Sequence, residues 1–352
     1  MRLGVSLGYF TTAEQIAEAI ELAAAAEGLG YDCAWVAEAY GTDAPTPLAA
    51  IAARTTTLGI GSAVMQIPAR SAAMTAMTAA TLDGLSGGRF RLGLGVSGPQ
   101  VSEGWHGSRY DDPLGRTAEY VTLVRNALAR KVLRSDGPHY PLPLPDGPGK
   151  PLVLAMRPLR SELPIYLAAV GPKNLALTGR IADGWHGIFF DPELGVDQVS
   201  AIRAGAAEAG RDLAGFDFAV NVGAAIGPDP ATAADAVRPT AALYIGGMGS
   251  RRTNFYHRIA TAMGFGAHAD RIQDLYLARN YAEAAAAVPL EFCTRTSLLG
   301  TTSDMAAGLR RLRDAGITSA NVAAYGRTLA DRISILEAVA AARVKAQLDG
   351  TT

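Results

Sequence analysis

The sequence predicts an α/β fold, a (β/α)8 TIM barrel of 352 residues, on three observations. Short apolar strands alternate with amphipathic helical stretches through most of the chain, as βαβ units do. Eight strand candidates can be counted, each followed by a helix, which suits a closed barrel better than an open sheet. Hydrophobic residues make up 49% and charged residues 18%, enough to fill one large core. The strands are expected at 3–7, 33–36, 58–63, 90–95, 165–168, 184–188, 216–226 and 318–323. The helices between them are expected to begin near Thr12, Asp43, Ser71, Leu114, Pro172, Val196 and Ala231, with a last one from Thr328. In the first helix Ile16, Ala19, Ile20, Ala23 and Ala24 share one face, and Thr12 with Gln15 makes a capping box. Two stretches break the alternation: 137–158, rich in Pro and Gly, and 246–289, mostly helical. Both read as insertions at the C-terminal, mouth face of a single domain covering 1–352.

Bulk properties exclude several classes. A net charge of −1 provides no basic face for nucleic acid. Cys33 and Cys293 have neither metal spacing nor the numbers for a disulfide framework. No apolar run approaches the roughly 20 residues of a membrane helix, and the strand-like start lacks the regions of a signal peptide, so a cytoplasmic protein is expected. Motifs for zinc hydrolysis, the α/β-hydrolase nucleophile and the P-loop are missing, and no metal site is expected.

Chemistry is expected where barrel strands end. The segment 58–70 (Leu-Gly-Ile-Gly-Ser-Ala-Val-Met-Gln-Ile-Pro-Ala-Arg) reads as a strand that stops at small residues and then turns. Small residues let backbone approach a flat ligand. Gly93-Leu-Gly95-Val-Ser-Gly98 matches G-x-G-x-x-G formally, but Gly93 lies inside a strand and Pro99 follows, so a dinucleotide turn is not expected. These glycines fit better as a floor beneath a ring system. Ala168-Ala-Val-Gly-Pro-Lys-Asn174 places Pro172 in a first helical turn, whose free N–H groups suit an anion, with Lys173 adding charge. Arg251, Arg252, Asn254, Tyr256 and His257 cluster in the second insertion and suit an anionic group, a solvated loop or an interface equally. Met156, Phe189, Phe190 and Phe255 suggest apolar walls at the mouth.

Gln66-Ile-Pro-Ala-Arg70, Leu85-Ser-Gly-Gly-Arg-Phe90, the run from Gly98-Pro-Gln100 to Trp105, 168–174 and Ala182-Asp-Gly-Trp185 together resemble the luciferase-like flavin and deazaflavin oxidoreductases. The resemblance covers nearly the whole chain and points to the branch that uses coenzyme F420 rather than FMN. It implies a bulge with a non-proline cis peptide between Ala63 and Val64 behind the cofactor ring, beside Ser62. It implies further cofactor contacts at Val96, Ser97, Gly98, Pro99 and Gln100, and a phosphate site at Ala169, Val170, Gly171, Pro172 and Lys173. The implied function is hydride transfer between reduced deazaflavin and an electron-poor C=C, C=N or C=O of a small organic substrate, with reduction favoured. Glu38, Tyr40, Glu103 and His106 are the candidate proton carriers. Sugar-phosphate dehydrogenases of this family carry a histidine where this chain has Ala39, and a glutamate where Pro99 and Gln100 stand, which argues against alcohol oxidation. The alternatives are an FMN-dependent monooxygenase and a non-catalytic cofactor-binding paralogue. A homodimer is expected, with the face at 72–81 as its seam.

Overall fold

The structure is a computed structural model that describes residues 1–251 and 253–348. Ten strands follow in chain order: β1 (Arg2–Gly8), β2 (Cys33–Val36), β3 (Gly59–Ser62), β4 (Met65–Gln66), β5 (Phe90–Gly95), β6 (Ile165–Ala168), β7 (Gly184–Ile188), β8 (Asp217–Ile226), β9 (Ser297–Gly300) and β10 (Ser319–Ala324). Eight of them close a parallel ring in the order β1, β2, β3, β5, β6, β7, β8, β10, with β10 returning to β1. This is the expected barrel, with all eight ring strands at the expected places. The sequence reading missed β4, which pairs Met65 with Leu94 of β5, and β9, which pairs with Gly223–Ile226 at the far end of β8. Two and four residues long, they are too short to show a period.

The helices are α1 (Ala13–Gly28), α2 (Pro45–Arg54), α3 (Ala72–Leu85), α4 (Pro99–Gly104), α5 (Pro113–Leu128), α6 (Pro172–Ile181) and α7 (Val196–Glu208). After β8 come α8 (Pro230–Ala234), α9 (Arg238–Ala242), α10 (Phe255–Ala260), α11 (Gly266–Leu277), α12 (Tyr281–Ala286) and α13 (Leu290–Thr296), and then α14 (Thr302–Asp314) and α15 (Leu329–Leu348). Side-chain caps set the starts: Thr12 accepts from the Gln15 N–H and Ser71 from the Met74 N–H. The Gln15 side chain reaches back to the Thr11 N–H rather than to Thr12, so the expected capping box is only half formed. A complete box stands instead at α14, between Thr301 and Asp304. That helix corrects the element assignment, because it, and not the helix near Ala231, is the long amphipathic helix between β8 and β10. Met305, Leu309 and Leu312 are its buried stripe.

The two insertions differ in placement. The second begins earlier than expected, at the end of β8, and includes β9; it carries a hydrophobic core of its own built from Ile245, Met263, Phe265, Ile272 and Phe292. The first leaves from the foot of α5 and climbs its flank, where Glu119 accepts from the N–H groups of His139 and Tyr140. It touches the mouth only at that tip, where His139 meets Asp112 at 2.9 Å. On the way down it lays Met156 against Thr81 of α3.

Large side chains fill the barrel lumen. The ring of Trp35 stands edge-on to His186 at 4.5 Å, and Tyr166 stacks on His186 at 5.1 Å, opposite Gly61 and Gly184, which leave the room. Below them Asp217 accepts from Thr318 (2.5 Å), Ser319 (2.7 Å) and Tyr166 (3.0 Å) and pairs with Arg2. Burial alone would raise its pKa, yet these donors and the Arg2 charge hold it below the usual carboxylate range. Burial pushes the His186 imidazole down to about 4. The unfolded chain therefore binds the extra proton between about pH 6.5 and 4, and stability falls as pH falls through that window. A loss of about 2 kcal/mol is expected between pH 7 and 5 from urea midpoints. A His186→Gln variant with the same slope would show that another group is responsible.

Candidate active site at the barrel mouth

The peptide between Ala63 and Val64 is cis, as the resemblance implied, and interrupts the chain between β3 and β4. The glycines of β5 seat this bulge. A Cβ on Gly93 would overlap the Ser62 carbonyl, and one on Gly95 would lie 2.6 Å from Val64 Cγ2 and 3.9 Å from the Ala168 Cβ. The floor foreseen for Gly93 and Gly95 is thus the bulge itself, with the glycines beneath it. Val64, Gly95 and Ala168 form one row of small groups across three neighbouring segments. Ser62 does not meet a ligand: it is fully buried, and its hydroxyl donates to the Gly93 carbonyl (2.8 Å) and accepts from the Gly93 N–H (2.9 Å). It holds β3 to β5, a correction to its expected cofactor contact.

A polar network ties the bulge to its surroundings. The Glu38 carboxylate accepts from the N–H groups of Ala44 and Gln66, each at 3.0 Å, and pairs with Arg70 at 2.7 Å; its side chain is 5% exposed. The Glu38 N–H donates to the Val64 carbonyl, and the Gln66 amide donates to the Glu38 carbonyl and to Ser97 Oγ. Those two acceptors fix the orientation of the Gln66 amide. Its Oε1 is then free to accept from His106 Nε2 at 2.7 Å, which makes His106 the Nε2–H tautomer with Nδ1 as its open acceptor. Burial lowers the His106 pKa, against the pull of Glu38, so this neutral form is favoured. Gln66, which sequence reasoning passed over as a site residue, is the centre of the network. Its signal was weak, one amide within a motif quoted whole for the family resemblance it carries.

The remaining candidates scatter. Tyr40 is 58% exposed on the rim, within electrostatic reach of Tyr9 and Tyr276. Glu103 is exposed and accepts from the Tyr110 N–H, pinning its own loop. Ser97 has φ 59°, and Gly98 caps α4, which opens with Pro99 and Gln100 while Val96 leads into the turn. At α6, Gly171 is the cap, Pro172 and Lys173 open the helix, and no side chain caps it. The Trp185 indole donates to the Ala169 carbonyl at 2.9 Å, and beside that turn the buried Oδ1 of Asn174 has no partner among the described residues. Val170 packs against the second insertion. Arg251 is paired with Asp274 at 2.5 Å and Asn254 caps α10; Arg252 lies outside the described residues. Of the four apolar residues set at the mouth, only Phe189 lines a recess there; Phe190 is buried against Trp185, Met156 lies on the flank of α3, and Phe255 lies under Arg258. Among the described residues no group of His, Cys, Asp or Glu could hold a metal ion, and no helix is long and apolar enough to cross a membrane.

Comparison with known proteins follows the same geometry. A Mycobacterium tuberculosis protein, provisionally named a coenzyme F420-dependent oxidoreductase, is 41% identical over 90% of this chain and 93% of its own length. The coenzyme F420-dependent tetrahydromethanopterin reductase of Methanopyrus kandleri superposes with a TM-score of 0.80 at 22% identity, covering 96% of this chain and 97% of that one. A type II Baeyer-Villiger monooxygenase from Pseudomonas putida in complex with FMN has a TM-score of 0.70 at 18% identity, with 97% of each chain covered. The family model described as luciferase-like monooxygenase matches residues 1–319, and the chain belongs to that family.

Proposed function

We propose that the protein is a coenzyme F420-dependent oxidoreductase that works in the reducing direction on an electron-poor C=C, C=N or C=O. The observation that carries the reading is the row Val64, Gly95, Ala168, small groups at the mouth beside the uncapped start of α6. A flat ring fits the first and a phosphate the second, where N–H groups of the first turn and Lys173 meet an anion. The unpartnered Asn174 Oδ1 beside that turn suits a hydroxyl of a ribityl chain. Residues 96–100 close the site from the β5 side. When bound, the deazaflavin supplies a hydride in a two-electron step.

The chain's own residues position and protonate. Glu38, held by three donors, sets the bulge and keeps Gln66 in place, a positioning role rather than the proton transfer expected of it. His106 holds its Nε2–H on Gln66 and offers Nδ1 to take up and return a proton; exposed Tyr40 is the other group able to donate. Ala39 and Pro99–Gln100 stand where the family's sugar-phosphate dehydrogenases carry a histidine and a glutamate, which argues against that alcohol oxidation here. Titration of the protein with F420 and with FMN tests the cofactor. Selective quenching of F420 fluorescence is expected; preference for FMN would move the protein to the monooxygenases, and binding of neither would leave a non-catalytic barrel.

A second copy of the chain is the proposed partner. Met74, Met77 and Leu85 of α3 are at least half exposed and run into Met156 of the first insertion and Leu159 just after it, an apolar strip along one flank. Light scattering is expected to give twice the chain mass, and Met77→Glu to halve it. A monomeric wild type at micromolar concentration overturns the dimer.

A further inference from the structure

The segment from Gln66 to Ser71, which turns from β4 into α3, is gripped from two sides. From the mouth, Glu38 accepts from the Gln66 N–H at 3.0 Å and pairs with the Arg70 guanidinium at 2.7 Å. From the flank, the Tyr120 hydroxyl donates to the Arg70 carbonyl at 3.1 Å and accepts from Thr75 Oγ1 at 2.6 Å. Tyr120 and Thr75 are fully buried, so water cannot stand in for either bond. Glu38 and Tyr120 thus hold opposite faces of one turn.

The first insertion bears on Tyr120. Glu119, the residue before it in α5, draws in the tip: besides the N–H groups of His139 and Tyr140 it accepts from Ser135 Oγ at 3.2 Å. Gly137 lies so close that a Cβ there would overlap this carboxylate. Tyr140 is thereby set with its ring edge-on to Tyr120, the centroids 5.6 Å apart, and packs against the barrel core. Its hydroxyl bonds Arg116, one turn back along α5. It also lines a narrow crevice with Ile67 and Pro68, which follow Gln66, and with Val96, which precedes Ser97. From Leu144 to Lys150 the excursion is exposed throughout, so it is the tip that is built into the body.

We propose that Tyr140, at the tip of the first insertion, is a positioning residue for the bulge, acting through Tyr120 and Arg70 on Glu38 and Gln66. The proposal deepens the oxidoreductase reading and rests on it for what the bulge serves, but its test needs no cofactor. The probe is amide hydrogen exchange, read at the Gln66 N–H, which Glu38 holds, and at Val322 of β10 across the barrel. In Tyr140→Leu the Gln66 amide is expected to exchange about tenfold or more faster, with Val322 unchanged within about twofold, because the loss is a local opening. Tyr140→Phe, which keeps the ring and loses only the Arg116 bond, is expected to exchange as wild type does. Tyr120→Phe, which frees the Arg70 carbonyl, is expected to match Tyr140→Leu. The two substitutions together are expected to add no more than about twofold, as links in one series do. Unchanged exchange at Gln66, or equal acceleration at both amides, reduces Tyr140 to ordinary packing and overturns the proposal. A double variant that multiplies the two effects overturns the route through Tyr120. Should Tyr140→Leu fail to fold, Tyr140→Met, which fills the space without a ring, takes its place. Beside the F420 titration, the exchange pattern without F420 binding would remove the cofactor reading and leave the brace. F420 binding without the pattern would remove only the brace.

Discussion

Gly93→Ala is expected to destabilise the protein by about 3 kcal/mol or more, the upper end of what overpacking costs. The methyl group would enter the space of the Ser62 carbonyl, and a backbone atom cannot rotate away as a side chain can. Its other near neighbour is His186 Nε2 at 3.1 Å, so the lumen offers no relief. The same substitution pushes the bulge off β5, so F420 affinity is expected to fall together with the urea midpoint. A Gly98→Ala control, whose Cβ meets only the far end of Gln100 at 3.5 Å, is expected to stay within about 1 kcal/mol of wild type. Equal loss in both variants would mean that the seat of the bulge is not what Gly93 provides.

Arg70→Ala is expected to cost about 3–5 kcal/mol, because it strands the buried Glu38 carboxylate without its cation. Glu38→Gln in the same background should recover much of that loss, since a neutral amide needs no counter-charge and can keep an acceptor for the Ala44 or Gln66 N–H. The double-mutant cycle separates pairing from mere packing. Additive losses would show that the ion pair is incidental and that Glu38 is free for other work.

The barrel was legible because its signals are local and repeated. Each ring strand is a short apolar run, and caps such as Ser71 and Thr12 mark helix starts at fixed offsets. What stayed hidden was set by distant partners. Nothing near Glu38 in the chain announces Arg70, 32 residues on, and so the ion pair that engages the carboxylate could not be read from the sequence. Ser62 looked like a ligand contact until β5 claimed its hydroxyl. The second insertion was hard for a different reason: apart from α11, its helices are five to seven residues long, shorter than two turns, and show no stripe. α14 hid behind it, though Thr301-Thr-Ser-Asp304 is a start signal that the sequence carries in full.

That insertion has a core separate from the barrel's. Its side chains can therefore be exchanged without disturbing the packing that holds Glu38, Gln66 and the bulge. The chain is in this sense two packing units in one: a barrel whose mouth is fixed by many interlocking bonds, and an insertion beside it that packs largely on itself. Tyr244, Phe292 and Thr240 belong to that insertion, and a library confined to them is the economical place to test how far its packing changes without loss of barrel stability.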